Sequence, residues 1–343
     1  MRCRIYIVFV LFLGCIESGF AQDDFFVGIS NSRSRAVALG GAVTALEDDI
    51  GAISYNPATF SLTENPSGMR FSVHLNPVLP AVSFRQKELF DLSDKDNFES
   101  IIGGIKYLFK AFTLSTRIFN FGILLNEEKF LQKGGEKFFD GTEFLDNRYH
   151  TAVLNVKLSS QVSFGVSGSL IRDADASGVN TGSEVRYGVL VKPSGWYQIG
   201  IMFVDFANKV KNSRRRFDRL ADESLNAGLV FFPRKGFSLS FDVRNLTEDG
   251  SAENFGLQEI HLGFEITRIS HISLRGGYYR EKRENNKFSN VFSAGFGLFD
   301  LNRFRSPNSR YNHPVPLISY SILFEKHNTN WIRWHFVTIG FRI

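Results

Sequence analysis

HTAVLNVKLSSQVSFGVSGSL, residues 150–170, decides the fold class. Taken in steps of two, His150, Ala152, Leu154, Val156 and Leu158 share one face, and Thr151, Asn155 and Lys157 lie opposite. Beyond Ser159-Ser160 the alternation resumes. Val162, Phe164, Val166, Gly168 and Leu170 face one way, and Ser163, Gly165, Ser167 and Ser169 face the other. Successive side chains of a β-strand point to opposite faces, so a period of two marks a strand with one apolar and one polar side. Two such runs joined by a pair of serines predict an antiparallel hairpin.

The same alternation continues on both sides of this hairpin. Val185, Tyr187, Val189 and Val191 are followed by Tyr197, Ile199, Ile201 and Phe203. Leu225, Ala227, Leu229 and Phe231 match Phe237, Leu239, Phe241 and Val243. Ile260, Leu262, Phe264 and Ile266 precede Ile272, Leu274, Gly276 and Tyr278, and Phe292, Ala294, Phe296 and Leu298 follow. Tight connections at Ser159-Ser160, Pro193-Ser194-Gly195, Pro233 to Gly236 and Ile269-Ser270 interleave with longer ones at about 173–182, 207–222, 247–256 and 282–288. Short turns at one end and longer loops at the other are the habit of outer-membrane barrels. A β-sandwich also alternates strands and turns, but rarely with strands of roughly ten residues and so regular a parity. Both ends of a membrane barrel's strand set lie on one side, so the strand count is even. One long strand over Gly68–Arg85, bent at Pro77 and Pro80, followed by strands at about 101–113 and 116–126, brings the total to about fourteen. The predicted fold is therefore all-β, a transmembrane antiparallel β-barrel over 67–343. On this count the link 300–314 falls at the short-turn end although it is long. The chain closes on Val337, Ile339, Phe341 and Ile343, alternating with Thr338, Gly340 and Arg342. This pattern suits a closing strand and a terminal signal for the barrel assembly machinery, with Phe341 two positions ahead of the last residue.

Residues 1–21 predict a cleavable export signal: Arg2 and Arg4, an apolar core over Ile5–Ile16, and Gly19-Phe20-Ala21 before a cleavage point at Gln22. The core is too short to span a bilayer as a helix. Leu13-Gly14-Cys15 offers a competing lipoprotein reading with Cys15 acylated. Cys3 and Cys15 are the only cysteines, so the chain beyond Gln22 has no disulfide, thiol nucleophile or cysteine metal site. Phe is unusually abundant, 36 of 343 residues, which suits an apolar barrel exterior with aromatic girdles. Polar residues alternating inward hold the mean hydropathy near zero, at −0.10. The net charge of +5 is too modest to argue for a nucleic-acid partner in an exported protein.

Between signal and barrel, residues 22–66 break the alternation. Gly40-Gly41 permits close packing and unusual dihedrals. Ala36, Val37, Leu39, Val43 and Leu46 suit a short helix against an inner wall. Pro57 forbids a regular ladder. With its acidic Glu47-Asp48-Asp49 and its Asn56-Pro57-Ala58, the stretch Ser34–Ala58, SRAVALGGAVTALEDDIGAISYNPA, resembles the N-terminal segment of the FadL-like outer-membrane barrel superfamily. That superfamily takes in fatty-acid and hydrocarbon transporters and the PorV/PorQ-type proteins of type IX secretion. The resemblance implies a plug inside the lumen, carried here by Gly40, Gly41, Asp48, Asp49, Asn56, Pro57 and Ala58, and a barrel of fourteen strands in the bacterial outer membrane. It further implies passive movement of hydrophobic, fatty-acid-like molecules, with membrane lipid as surroundings. The alternative it leaves open is a barrel that binds secretion partner proteins. Whether the plug is a gate or a static stopper also stays open.

Other motifs carry less. Asp173, Asp175, Ser177 and Glu184, with Gly178 between, match the spacing of a twelve-position calcium loop, and a polar hairpin loop explains them equally. Lys209, Lys211, Arg214, Arg215, Arg216 and Arg219 form a basic cluster suited to anionic sugars and phosphates or to a solvated loop. Histidines at 74, 150, 261, 271, 313, 327 and 335 show no metal-ligand spacing, and no phosphate loop, nucleophile elbow or HExxH helix is present. The expectation is a barrel without enzymatic activity, metal or cofactor.

Overall fold

A computed structural model of the chain describes residues 25–29, 34–61, 68–77, 108–128, 132–133, 148–175, 178–206, 224–246, 259–269, 272–282, 288–298, 315–327 and 330–343. The predicted signal, the basic cluster at 209–219 and the link 300–314 lie outside these. The strands in chain order are β1 (Phe25–Ile29), β2 (Arg70–Leu75), β3 (Phe109–Ser115), β4 (Phe119–Glu128), β5 (Gln132–Lys133), β6 (Arg148–Lys157), β7 (Val162–Asp175) and β8 (Gly178–Ser194). They continue with β9 (Tyr197–Phe206), β10 (Ser224–Arg234), β11 (Phe237–Arg244), β12 (Glu259–Ile269), β13 (Ile272–Lys282), β14 (Phe288–Leu298), β15 (Val315–His327) and β16 (Asn330–Arg342).

Each of β2, β3, β4 and β6 to β16 pairs antiparallel with its neighbours, and β16 returns to β2 to close a fourteen-stranded barrel. Closure is what lets strands cross a bilayer, because every edge must find a partner where no water reaches. The hairpins form where the alternation puts them. Phe231 stands opposite Leu239, Leu229 opposite Phe241 and Ala227 opposite Val243. Gly236, at φ 77°, takes the left-handed conformation that the tight turn between β10 and β11 requires.

One face of each strand looks out and is apolar. Leu170, Leu229, Leu239, Phe241, Leu262, Phe264, Leu274 and Phe292 are all large, apolar and exposed, which is what a hydrocarbon surround demands. The opposite face is buried and mostly small or polar, as with Ser163, Ser167, Ser169, Ser238 and Ser240. Among the described residues no helix is long and apolar enough to cross a membrane.

Three local differences from the predicted layout have physical reasons. The first barrel strand is described to Leu75, just before Pro77, which has no N–H to continue a ladder; residues 78–85 of the predicted strand lie outside those described. The link expected at 173–182 is instead largely ladder, with Asp173 opposite Asn180 and Asp175 opposite Gly178, because the β7–β8 pairing continues that far. The five residues of β1 join the sheet rather than the lumen, alongside β16 and parallel to it.

Candidate functional site: the plug and the inner wall

The plug comprises a helix over Ser34–Ala38, an irregular run to Asp49, a one-turn helix over Ile50–Ile53 and a 3-10 turn over Pro57–Thr59. Nearly every residue of it is buried. The helix is shorter than the apolar spacing suggested, because Gly40 and Gly41 both take positive φ, 60° and 79°, and end it. Ala36, Val37, Leu39, Val43 and Leu46 are nonetheless all buried, as expected.

Each residue of the plug motif has a structural task. Gly40 lies so near β13 that a Cβ there would stand 2.7 Å from the Tyr278 nitrogen. The Gly40 carbonyl meets Nδ1 of His261, and the Gly41 carbonyl accepts from Arg244. Asn56 caps the 3-10 turn by accepting from the Ala58 N–H (3.0 Å), and its Nδ2 donates to the Thr44 carbonyl (2.6 Å), fastening the two halves of the plug together. Pro57 opens the 3-10 turn, where its missing N–H costs nothing. The Ala58 carbonyl accepts from Asn155 Nδ2 (2.7 Å) and Ser163 Oγ (2.9 Å) on the wall. Asp48 bridges to Phe60 and exchanges backbone hydrogen bonds with Thr59 (3.1 Å) and Ser61 (2.9 Å). Asp49 precedes the one-turn helix; burial beside Asp48 raises its carboxyl to about 6, against the pull of Arg342 and Arg35.

The wall meets the plug with charge. Arg35, buried in the helix, grips Glu265 of β12 through Nε (3.1 Å) and Nη2 (2.6 Å), while its Nη1 reaches the Asp48 carboxylate (3.0 Å) and the Glu47 carbonyl (3.0 Å). Arg275 on β13 takes the same Glu265 from the other side at 2.7 Å. Planar, bidentate pairing of this kind is the strong form of a charged hydrogen bond. Asp242 on β11 accepts from the N–H groups of both Val43 and Thr44 at 2.8 Å, supplying two partners the irregular backbone lacks. Glu47 pairs with Lys192 of β8.

The wall also meets the plug with missing side chains. A Cβ at Gly165 would stand 2.2 Å from the Pro57 carbonyl carbon, and one at Gly277 would stand 2.1 Å from the Gly40 nitrogen. Gly188, Gly200, Gly228, Gly263 and Gly295 likewise face plug atoms too closely for a side chain, and Gly122 faces the side-chain ends of Phe60 and Ile53. Three of these pairs sit directly opposite one another across the ladder: Gly165 with Gly188, Gly200 with Gly228, and Gly263 with Gly277. The plug thus lies in a groove cut into the inner wall. In the sequence Gly165 stands only as one small residue on a polar face, and the other glycines carry no more than that. Their signal was present, since each falls on the small-polar face of its strand, but only a partner backbone gives that position meaning.

The chain has no matching family model and no matching curated protein. Among solved structures it is similar to the Ralstonia pickettii toluene transporter TbuX, at 14% identity and a TM-score of 0.49 over 92% of this chain and 98% of that one. It is similar also to the CymD monoaromatic hydrocarbon channel (13%, 0.44, 92% and 96%) and to a Pseudomonas aeruginosa FadL homologue (11%, 0.46, 93% and 97%). The likeness is one of barrel architecture, at low identity.

Beside the plug helix the inner wall turns apolar. Tyr279, Val291, Leu323, Trp334 and Phe336 of β13 to β16 gather in the lumen around a single plug side chain, Val37. Trp334 Nε1 donates to Glu325 Oε2 at 3.2 Å, and Tyr279 stacks on His261 with ring centroids 4.9 Å apart. Across the lumen, Ile50, Ile53 and Phe60 of the plug pack on Leu124, Val153 and Ile171.

The calcium spacing does not assemble. The register sets Glu184 opposite Ser169, well down the ladder from the Asp173–Asn180 pair, and its side chain turns into the lumen to pair with Arg186. No group of three or more metal-ligating side chains occurs among the described residues.

Proposed function

We propose that this barrel lets small hydrophobic molecules of the fatty-acid or hydrocarbon kind pass the bacterial outer membrane, without chemistry and without an energy source. The observation that carries this is the apolar patch of Tyr279, Val291, Leu323, Trp334 and Phe336 on the inner face of the wall. A water-filled channel has a polar interior, and burying large apolar side chains inside a barrel serves an apolar occupant. The plug helix lies against the same four strands and enters the patch through Val37, which places the patch beside the element that fills the lumen.

The test is uptake by reconstituted liposomes of a fluorescent fatty acid and of toluene, compared with a small sugar. The reading expects uptake of an apolar solute, no sugar flux, and at least a several-fold loss for Leu323→Asn with Trp334→Ala. Sugar flux with no apolar uptake would defeat it. A tightly held protein partner with an empty lumen would direct attention to the secretion-associated alternative.

A further inference from the structure

A β-strand has two edges, and β16 divides one of them between two partners. Its first edge pairs with β15 from Asn330 to Arg342. On the second edge β2 takes only the final residues, with Leu75 opposite Phe341 and His74 opposite Arg342, and with Val73 and Ile343 exchanging hydrogen bonds at 2.9 Å. There β2 ends. The stretch Arg333–Val337 would then present bare N–H and C=O groups at the seam between the first and last barrel strands. It does not, because β1 lies along it in register, Phe25 opposite Arg333 through Ile29 opposite Val337. The far edge of β1 receives β5, with Phe26 opposite Lys133 and Val27 opposite Gln132. A strand hydrogen-bonded on both edges within the sheet stands in the wall, not on its inner surface.

The direction of β1 ties this seam to the plug. Parallel to β16, it runs from the long-link end toward the short-turn end. Ser34, the first residue of the plug helix, then places its Oγ 2.8 Å from Thr338 Oγ1, one residue beyond the last partner of β1 on the same strand. The N-terminal segment therefore follows β16 from Arg333 to Thr338 before turning into the lumen.

We propose that β1 is a strap built into the wall: it closes the part of the seam that the short β2 leaves open and fastens the plug to the last strand, so plug and seam hold or loosen together. In hydrocarbon no water would satisfy the edge that β1 covers, so the strap is needed for closure.

Two measurements on the full-length protein in outer-membrane vesicles test this. Cys3 and Cys15 both precede the predicted cleavage point, so introduced cysteines stand alone in the mature chain. Partner Cα atoms on neighbouring strands lie within disulfide reach. Ile29→Cys with Val337→Cys is expected to form a disulfide on mild oxidation in a yield like that of Ser319→Cys with Thr338→Cys, which are partners across β15 and β16. A reference pair that links while the strap pair does not would overturn the proposal. Deleting residues 25–29 is expected to lower the temperature of heat modification on gels and to raise ion leak at least several-fold. A deletion variant that matches the full chain in both would overturn it as well. The cysteine pair decides the matter even where the deletion fails to assemble.

Discussion

Replacing Gly165 with alanine tests the grooved wall most directly. The new Cβ would stand 2.2 Å from the Pro57 carbonyl carbon, 2.3 Å from the Ala58 nitrogen and 2.5 Å from the Pro57 oxygen. These are backbone atoms, so no side chain can swing aside. Restoring an ordinary contact near 3.4 Å moves the Pro57–Ala58 peptide by more than 1 Å. That shift carries the Ala58 carbonyl out of reach of Asn155 (2.7 Å) and Ser163 (2.9 Å). Overpacking costs about 1–3 kcal/mol. Two buried donors left unmet add about 1–3 kcal/mol each where water cannot replace the carbonyl. Allowing for partial relaxation, the plug should lose about 3–5 kcal/mol of seating energy. Gly168 is the matched control. It lies on the same strand but looks outward, with nothing within 4 Å of an added Cβ, so Gly168→Ala should stay within about 0.5 kcal/mol. Urea unfolding in micelles and ion leak in planar bilayers would report both. Gly165→Ala behaving like Gly168→Ala would refute the steric fit between plug and wall.

Other predictions follow from the same contacts. Arg35→Met takes from Glu265 one of its two arginine partners and from Asp48 its bridge to Arg35, and should weaken plug seating by about 3–5 kcal/mol; adding Glu265→Gln should deepen the loss, because Arg275 then loses its counter-charge, and urea midpoints of the single and double variants check this. Asp49 holds a proton more tightly when seated, near 6 against 3.8 when free, so seating is firmest in acid and weakens as pH rises through that window. Ion leak should therefore be lower at about pH 5 than at about pH 7.5, and Asp49→Asn should remove the difference. Leu262→Arg, on the outward face of β12, should impair membrane insertion by about 2–4 kcal/mol if it sits at the bilayer midplane, measured as the folded fraction recovered from vesicles.

The barrel was legible in the sequence because its physics is local. Phe164 beside Gly165, or Leu239 beside Ser240, declares two environments within one residue, and the alternation repeats through every hairpin from β6 to β14. Where the wall depends on distant partners, periodicity fell silent. Nothing in Arg70–Leu75 announces that β2 stops short, beyond the two prolines read as a bend, and nothing in Phe25–Ile29 announces a partner about three hundred residues away.

The plug shows the same divide more sharply. Gly40-Gly41 and Asn56-Pro57-Ala58 stood out because they punish regular structure wherever they occur. Arg35 did not, because one arginine in an apolar run looks like any other until Glu265, 230 residues on, is placed against it. Gly165 and Gly188 passed as ordinary small residues on a polar face, although adjacent strands put them directly opposite each other. A barrel needs only small or polar groups inside, and serine serves that need as well as glycine. Glycine at eight plug-facing positions, among inward neighbours that carry side chains as large as Arg186, Gln198 and Tyr279, is the imprint of a second segment of chain packed against the wall. Sequence periodicity reports which way a side chain points; the plug was written in side chains that are absent, and those become readable only once the chain that occupies their space has been found.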